Sequence, residues 1–364
     1  MDVSYFCRRM REIGTSGGYE DPDGLLACTE AELRWLKRNP FISEGEDEPI
    51  ANIACCDKTV VGRNLLFPIG MVCRGSRVLA RGGSSLWVSR LGRRHDVGFE
   101  LPERFVQMEE GRLPVVGSCL SQLAVPMHEM AGFEIWRSPR HVFLRHTRSL
   151  VEMRFRGIIG ACVAKVADGA LALFRGVLRV IESGMLRGFT VEETATWEDA
   201  LDRCVSAENE PFREDHGRAW FDWAKTCRKS QGAHEDFRLF NVRRNGQIVG
   251  FFLLRTRFYE QASSRGFRNL FLTTVMEWGS VEPKLGEKAL FALALRQIDP
   301  IVDAVECVPN EPATRRWLWR RLALPVGDYI YTVAQSADAK EPLEGFTERK
   351  NWRLRPAFGD ATFF

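Results

Sequence analysis

The spacing of hydrophobic and polar positions changes period several times along the chain, and each change marks an element. Apolar runs at 51–56 (ANIACC) and 60–72 (VVGRNLLFPIGMV) read as strands. Asp57, Lys58 and Thr59 form a short turn between them, so the pair reads as a hairpin. A third strand-like run, SLWV at 85–88, follows Gly82 and Gly83. From there loop, helix and strand alternate. A helix is expected over 99–110, a strand over 114–121 and a short helix over 122–131, which Gly132 would end in the left-handed conformation. WRSPRHVFLRH at 136–146 reads as a further strand, and a helical segment near 149–186 follows. Residues 1–50 read as helical with loop breaks. Thr29 and Glu32 make a capping-box pattern ahead of LRWLKRNPF, and SEGEDEP at 43–49 reads as an acidic exposed loop.

The second half repeats this order. FTVEETA at 189–195 reads as a strand, and TWEDALDRCV and HGRAWFDWAKTC as helices. The run at 236–258 is the clearest hairpin, because Asn245-Gly246 supplies a positive-φ turn. Strands at 269–276, 303–310 and 328–334 then alternate with helices at 287–298 and 313–322. Two copies of one order point to duplication. The expected fold class is α/β (α+β), divided into a domain over 1–148, a helical connection over 149–187 and a second domain over 188–364.

Composition narrows the function. The chain has 364 residues, 45% hydrophobic and 27% charged, which suits a folded globular protein. Its 51 basic and 48 acidic residues leave a formal charge of +3, too balanced for wrapping DNA but compatible with one basic pocket for a phosphate-bearing cofactor. The ten cysteines include the adjacent Cys55 and Cys56, but no CxxC and no zinc-ligand spacing, so no metal site is expected. Reduced, mostly buried thiols in a cytoplasmic protein are the expectation. The N-terminus lacks an apolar signal segment. The apolar stretch at 158–181 carries Lys165, Asp168, Arg175 and Arg179, so it is read as a long helix buried between domains or lying against one, not a membrane span.

The stretch SSLWVSRLGRRHDVGFELPERFVQ contains Arg93-Arg94-His95-Asp96-Val97-Gly98 after a strand ending at Val88. A turn opening into a helix start points backbone N–H groups at a pyrophosphate, and arginines add charge-assisted donors. Gly98 allows close approach, and Asp96 tolerates a left-handed backbone. This resembles the Arg/Gln-x-x-Gly-x-Gly/Ala loop of GNAT acyltransferases, with Asp96 in place of the first glycine. Ser121-x-x-Ala124, followed by His128, Gly132 and Phe133, resembles that family's Asn-x-x-Ala…Tyr-x-x-x-Gly-Phe segment, with Ser121 for Asn and His128 for Tyr. The second half keeps Asn310-x-x-Ala313, places Trp317 at the tyrosine position, and lacks the glycine pattern in EWGSVEPKLGEKA at 277–289.

The resemblance implies two GNAT-like domains, each a mixed, mostly antiparallel and splayed sheet flanked by helices. It implies acetyl-CoA or another acyl-CoA as co-substrate and an amine acceptor on a small molecule, sugar, amino acid or peptide. Arg93, Arg94, His95, Asp96, Val97 and Gly98 would face the phosphates, with Ser121 beside them. Backbone groups near Leu86 and Val88 would pair with pantetheine. His128 would protonate the leaving thiolate, or it is a helix-surface histidine without a role. Glu100, Glu129 and Glu134 are the carboxylates nearest in sequence for a base, or are ordinary surface groups. Two rivals stand: an aminoacyl-tRNA-dependent transferase of the Fem type, and a non-catalytic binding or scaffold protein. Nucleophilic catalysis by Cys119 with His128 lacks an orienting third group. The run Arg315-Arg316-Trp317-Leu318-Trp319-Arg320-Arg321 reads as a half-buried helix with a solvated basic face.

Overall fold

A computed structural model describes residues 3–9, 18–24, 37–42, 49–107, 113–118, 120–147, 158–207, 209–226, 235–259, 270–336 and 342–357. In chain order, the elements of the first half are β1 (Val3–Arg9), β2 (Pro49–Cys56), β3 (Thr59–Cys73), β4 (Ser76–Val88), α1 (Val97–Gln107), β5 (Val115–Ser118), α2 (Val125–Met130), β6 (Glu134–Leu144) and α3 (Ile158–Ser183). The second half holds β7 (Phe189–Thr194), α4 (Asp199–Ser206), β8 (Phe212–Glu214), α5 (Arg218–Thr226), β9 (Glu235–Arg244), β10 (Gln247–Tyr259) and β11 (Leu270–Ser280). It ends with α6 (Glu287–Arg296), β12 (Ala304–Cys307), α7 (Pro312–Arg320) and β13 (Leu324–Ala334).

The chain forms two compact units that do not follow its linear halves. Unit 1 takes Met1–Arg137, Glu210–Ser230 and Tyr329–Phe364, and unit 2 takes Ser138–Asn209 and Gln231–Asp328. The boundaries expected at 148 and 187 differ from this division because the last strands are exchanged. In unit 1, β1 to β4 are antiparallel neighbours and β5 runs parallel to β4. The other edge of β5 is taken by β13, with Tyr331 opposite Ser118. In unit 2, β7, β9, β10 and β11 are antiparallel neighbours and β12 runs parallel to β11. The other edge of β12 is taken by β6, with Cys307 opposite His141. Both β5 and β12 are buried over all four residues, so each needs ladder partners on both edges. The segment carrying β8 and α5, expected in the second domain, also belongs to unit 1, where β8 pairs with β3.

Two turns explain themselves locally. Asp57, at φ 54°, closes the β2–β3 hairpin, and Asn245 and Gly246, at φ 50° and 79°, close β9–β10. Two expectations need correction. Residues 3–9 form a strand, held by its ladder to β2, not a helix. The Thr29–Glu32 pattern and most of the acidic loop lie outside the described residues. The strand expected at 85–88 begins at Ser76. Gly82 and Gly83 lie inside this strand and serve packing: a Cβ at Gly82 would lie 2.6 Å from the Phe67 ring, and one at Gly83 2.3 Å from Phe105.

In unit 1, α1 covers one sheet face through Val97 and Leu101 against Ala54, Cys56 and Val61. A second cluster joins Leu66, Phe105, Val115, Phe133 and Ala334. In unit 2, α6 is buried almost throughout, with Leu290, Phe291 and Leu293 packed in one cluster with Phe252 and Trp278. The 158–181 stretch is α3, which belongs to unit 2: its inner side is tied to the rest of that unit by bonds from Thr147 to Asp168 and from Trp317 to Glu182. No described helix is long and apolar enough to cross a membrane. Arg321 is buried against Glu182 and Trp317 and takes no part in a solvated basic face.

Candidate functional site

The site is built where β4 parts from β5. Their ladder runs from Arg81–Val115 to Gly83–Gly117 and stops, while β4 continues to Val88. Just past that point β4 carries one residue more than β3: Leu65 faces Ser84 and Arg63 faces Trp87, so Ser85 and Leu86 oppose Asn64 alone. A bulge bends its strand and releases backbone groups from the ladder. Unit 2 repeats the arrangement. The β11–β12 ladder ends at Thr274–Glu306, and Met276 is the extra residue opposite β10, between Val275 and Glu277.

Beyond β4 the chain winds into a 3-10 turn, Gly92–His95. Ser89 organises it. Its hydroxyl accepts the Gly92 N–H at 3.0 Å, and its carbonyl accepts the Arg93 N–H at 3.0 Å. A Cβ on Gly92 would lie 2.5 Å from the Val61 carbonyl oxygen, so glycine lets the turn press onto β3. Asp96 ends the turn in the left-handed region, at φ 55° and ψ 17°, and its carbonyl accepts the N–H groups of Phe99 and Glu100. The N–H groups of Val97 and Gly98 lie ahead of the α1 ladder. Arg93, Arg94 and Asp96 are exposed and His95 is half-buried. The Arg93 Nε donates to the Val88 carbonyl at 3.2 Å, folding that side chain back over the strand end. Leu86 and Val88 are half-buried beside it.

Helix α2 joins this group through Met127. A Cβ on Gly98 would meet the Met127 sulfur at 2.8 Å and a Val88 methyl at 3.8 Å, so the helix start, strand end and α2 pack together. Ser121 is exposed, and its hydroxyl accepts the Ala124 N–H at 3.3 Å ahead of α2. His128 is not a helix-surface residue. It is 7% exposed, its Nδ1 lies 2.9 Å from the Ala124 carbonyl, and its ring stands edge-on to Phe133. Nδ1 therefore donates, leaving Nε2 as an acceptor. Burial holds the imidazole below its ordinary pKa, partly offset by the Ala124 bond. Neutral histidine is thus favoured at physiological pH.

Of the named carboxylates, Glu129 and Glu134 are exposed, and Glu100 sits on α1, 3.7 Å from Arg104. Cys119 lies outside the described residues. Two residues went unnoticed in the sequence. Ser89 carries no motif signal, since its role depends on the turn. Tyr5 lies on β1 with Arg104 stacked on its ring at 4.0 Å, and burial together with Glu100 pushes its hydroxyl well above the ordinary range. Recognising it required recognising β1. Among the described residues no cluster of His, Cys, Asp and Glu could hold a metal ion.

The unit 2 counterpart is closed by its own side chains. Glu287, at the first position of α6, is buried, and its two carboxylate oxygens accept the Asn310 and Glu311 N–H groups at 2.9 Å each. Glu282 in the preceding loop pairs with Arg244 at 2.8 Å.

No family profile and no curated protein sequence matches this chain. Solved structures do. A GCN5-related N-acetyltransferase from Anabaena variabilis aligns with a TM-score of 0.51 at 12% identity, covering 91% of this chain and 72% of the other. Saccharomyces cerevisiae N-myristoyltransferase with bound myristoyl-CoA aligns with a TM-score of 0.51 at 11% identity, covering 96% and 84%. At such identities the likeness concerns the fold. The chain therefore has a GNAT-like fold.

Proposed function

We propose that the chain is an acyl-CoA-dependent N-acyltransferase, moving an acyl group from a CoA thioester to an amine of a small molecule, sugar, amino acid or peptide. The observation that carries this reading is the bulged end of β4 leading through an exposed basic turn to the start of α1. In this reading the turn holds the CoA phosphates. Arg93, Arg94 and His95 supply charge, and the positive start of α1 at Val97 and Gly98, buried beneath the turn, adds to it. Released backbone groups near Leu86 and Val88 pair with the pantetheine amides, and one N–H there polarises the thioester carbonyl. Ser121, ahead of α2, stands beside the phosphates in this reading. The neutral amine attacks the carbonyl carbon, the C–S bond breaks, the nitrogen gives up a proton to water, and the thiolate takes one. Nε2 of His128 would have to carry that proton, against the burial that keeps it neutral. The yeast neighbour was solved with myristoyl-CoA, which supports including long acyl chains in the test.

Calorimetric titration with acetyl-CoA and longer acyl-CoAs tests the reading. Wild type should bind, and Arg93→Ala/Arg94→Ala should bind about 10- to 100-fold more weakly with an unchanged melting temperature. No binding by wild type would sink the acyl-CoA reading and move the weight to charged tRNA or a scaffold role. With an acceptor in hand, His128→Gln separates the two roles of that residue: loss of kcat marks an acid, whereas lost stability alone marks packing.

A further inference from the structure

Helix α3 is 26 residues long, about 39 Å at 1.5 Å per residue. Its inner side is anchored to the rest of unit 2 by Asp168, Arg175 and Glu182. Its outer side carries Val163, Val166, Ala170, Leu173, Val177 and Val180, spaced alternately three and four residues apart. That is the spacing of a coiled-coil seam, sustained over two and a half heptads. These are not core positions: Val166, Leu173 and Val180 are 76%, 73% and 74% exposed. One flank is Cys162, Gly169 and Gly176, each seven residues from the next, and a Cβ at either glycine would meet nothing within 4 Å. The charged residues Lys165, Asp168, Arg175, Arg179 and Glu182 all fall outside this face at 100° per residue.

We propose that this face of α3 pairs with the same face of a second copy of the chain. Self-pairing across a two-fold axis needs a patch that does not repel itself, and a face without charge meets that condition. The small flanking residues let a second helix come close. The exposed apolar and small side chains, Ile181 included, amount to on the order of 800 Å², about one partner's share of a standard interface. Insertion into a lipid surface fits less well, since such helices present Trp, Phe or Leu, and this face is largely Val, Ala and Gly.

Sedimentation equilibrium of the full chain over a range of concentrations tests the proposal. Wild type should be a dimer. Val166→Glu/Leu173→Glu should raise the dissociation constant at least about 100-fold, because each copy would bury unpaired charge, with an unchanged circular dichroism spectrum. Leu123→Glu, exposed elsewhere, should remain a dimer. Should the double variant unfold, Val166→Lys alone must still dissociate the dimer. A monomeric wild type overturns the proposal, and co-sedimentation of that monomer with phosphatidylcholine–phosphatidylglycerol vesicles would assign the face to lipid. A dimer that survives both seam variants overturns it as well.

Discussion

In unit 1 the bulged strand runs into a basic turn and α1 begins with Val97 and Gly98; in unit 2 its counterpart runs into a turn with one Glu and one Lys, and α6 begins with Glu287. Both strands carry one extra residue and part from their parallel neighbour after a three-residue ladder. The backbone plan is therefore shared, and the charge at the helix start differs. Glu287 turns its carboxylate to the chain's own N–H groups at the start of α7, where it links α6 to α7. No such carboxylate occupies the first turn of α1 until Glu100. One scaffold can thus lead into one helix through an exposed basic turn and use the other helix start as an internal joint, because the difference lies in a few loop side chains.

The largest effect should come from cutting the joint. Glu287→Ala leaves two N–H groups without their charged acceptor and should destabilise the protein by about 3 kcal/mol in urea unfolding, while Glu287→Gln, which keeps an acceptor, should lose less. An alanine variant as stable as wild type would break the comparison, since Glu287 would then hold nothing together. Next in size is a pair of glycines in the two loops that lead to α1 and α6. Gly92→Ala drives a Cβ into the Val61 carbonyl and should cost about 1–3 kcal/mol, weakening acyl-CoA binding with it. Gly286→Ala, where a Cβ meets nothing within 4 Å, should stay within about 0.5 kcal/mol of wild type. Equal effects at the two sites would mean that the turns are packed alike.

The smallest effect is a pH dependence. Burial lowers the pKa of His128 in unit 1 and of His141 in unit 2, the latter helped by Arg315. Below the ordinary imidazole pKa of about 6.5, the unfolded chain takes up protons that the folded histidines resist. Stability should therefore be full above that pH and decline as pH falls through it toward the depressed folded values. Urea midpoints measured across this range should flatten in His128→Gln and in His141→Gln. An unchanged slope in His128→Gln would show that its imidazole titrates normally and is not held neutral.

Local chemistry decided much by itself. Asn245-Gly246 makes the β9–β10 turn because only such residues accept two successive positive φ angles cheaply. Gly132, at φ 83°, follows α2, and Asp96 takes the left-handed conformation that its position in the turn requires. The stretch from Arg93 to Gly98 was legible as a turn into a helix for the same reason: its signals lie within a few residues of one another. Tertiary structure decided what depends on partners far along the chain. Nothing within 328–334 says that β13 lies beside β5, nor within 136–146 that β6 lies beside β12, because ladder partners are selected by burial and hydrogen bonding across the whole fold. The same holds for β1, whose ladder to β2 outweighs local propensity, and for Arg321, drawn inward by Glu182 139 residues away. It also holds for His128, whose charge state follows from the Phe133 ring and the Ala124 carbonyl around it.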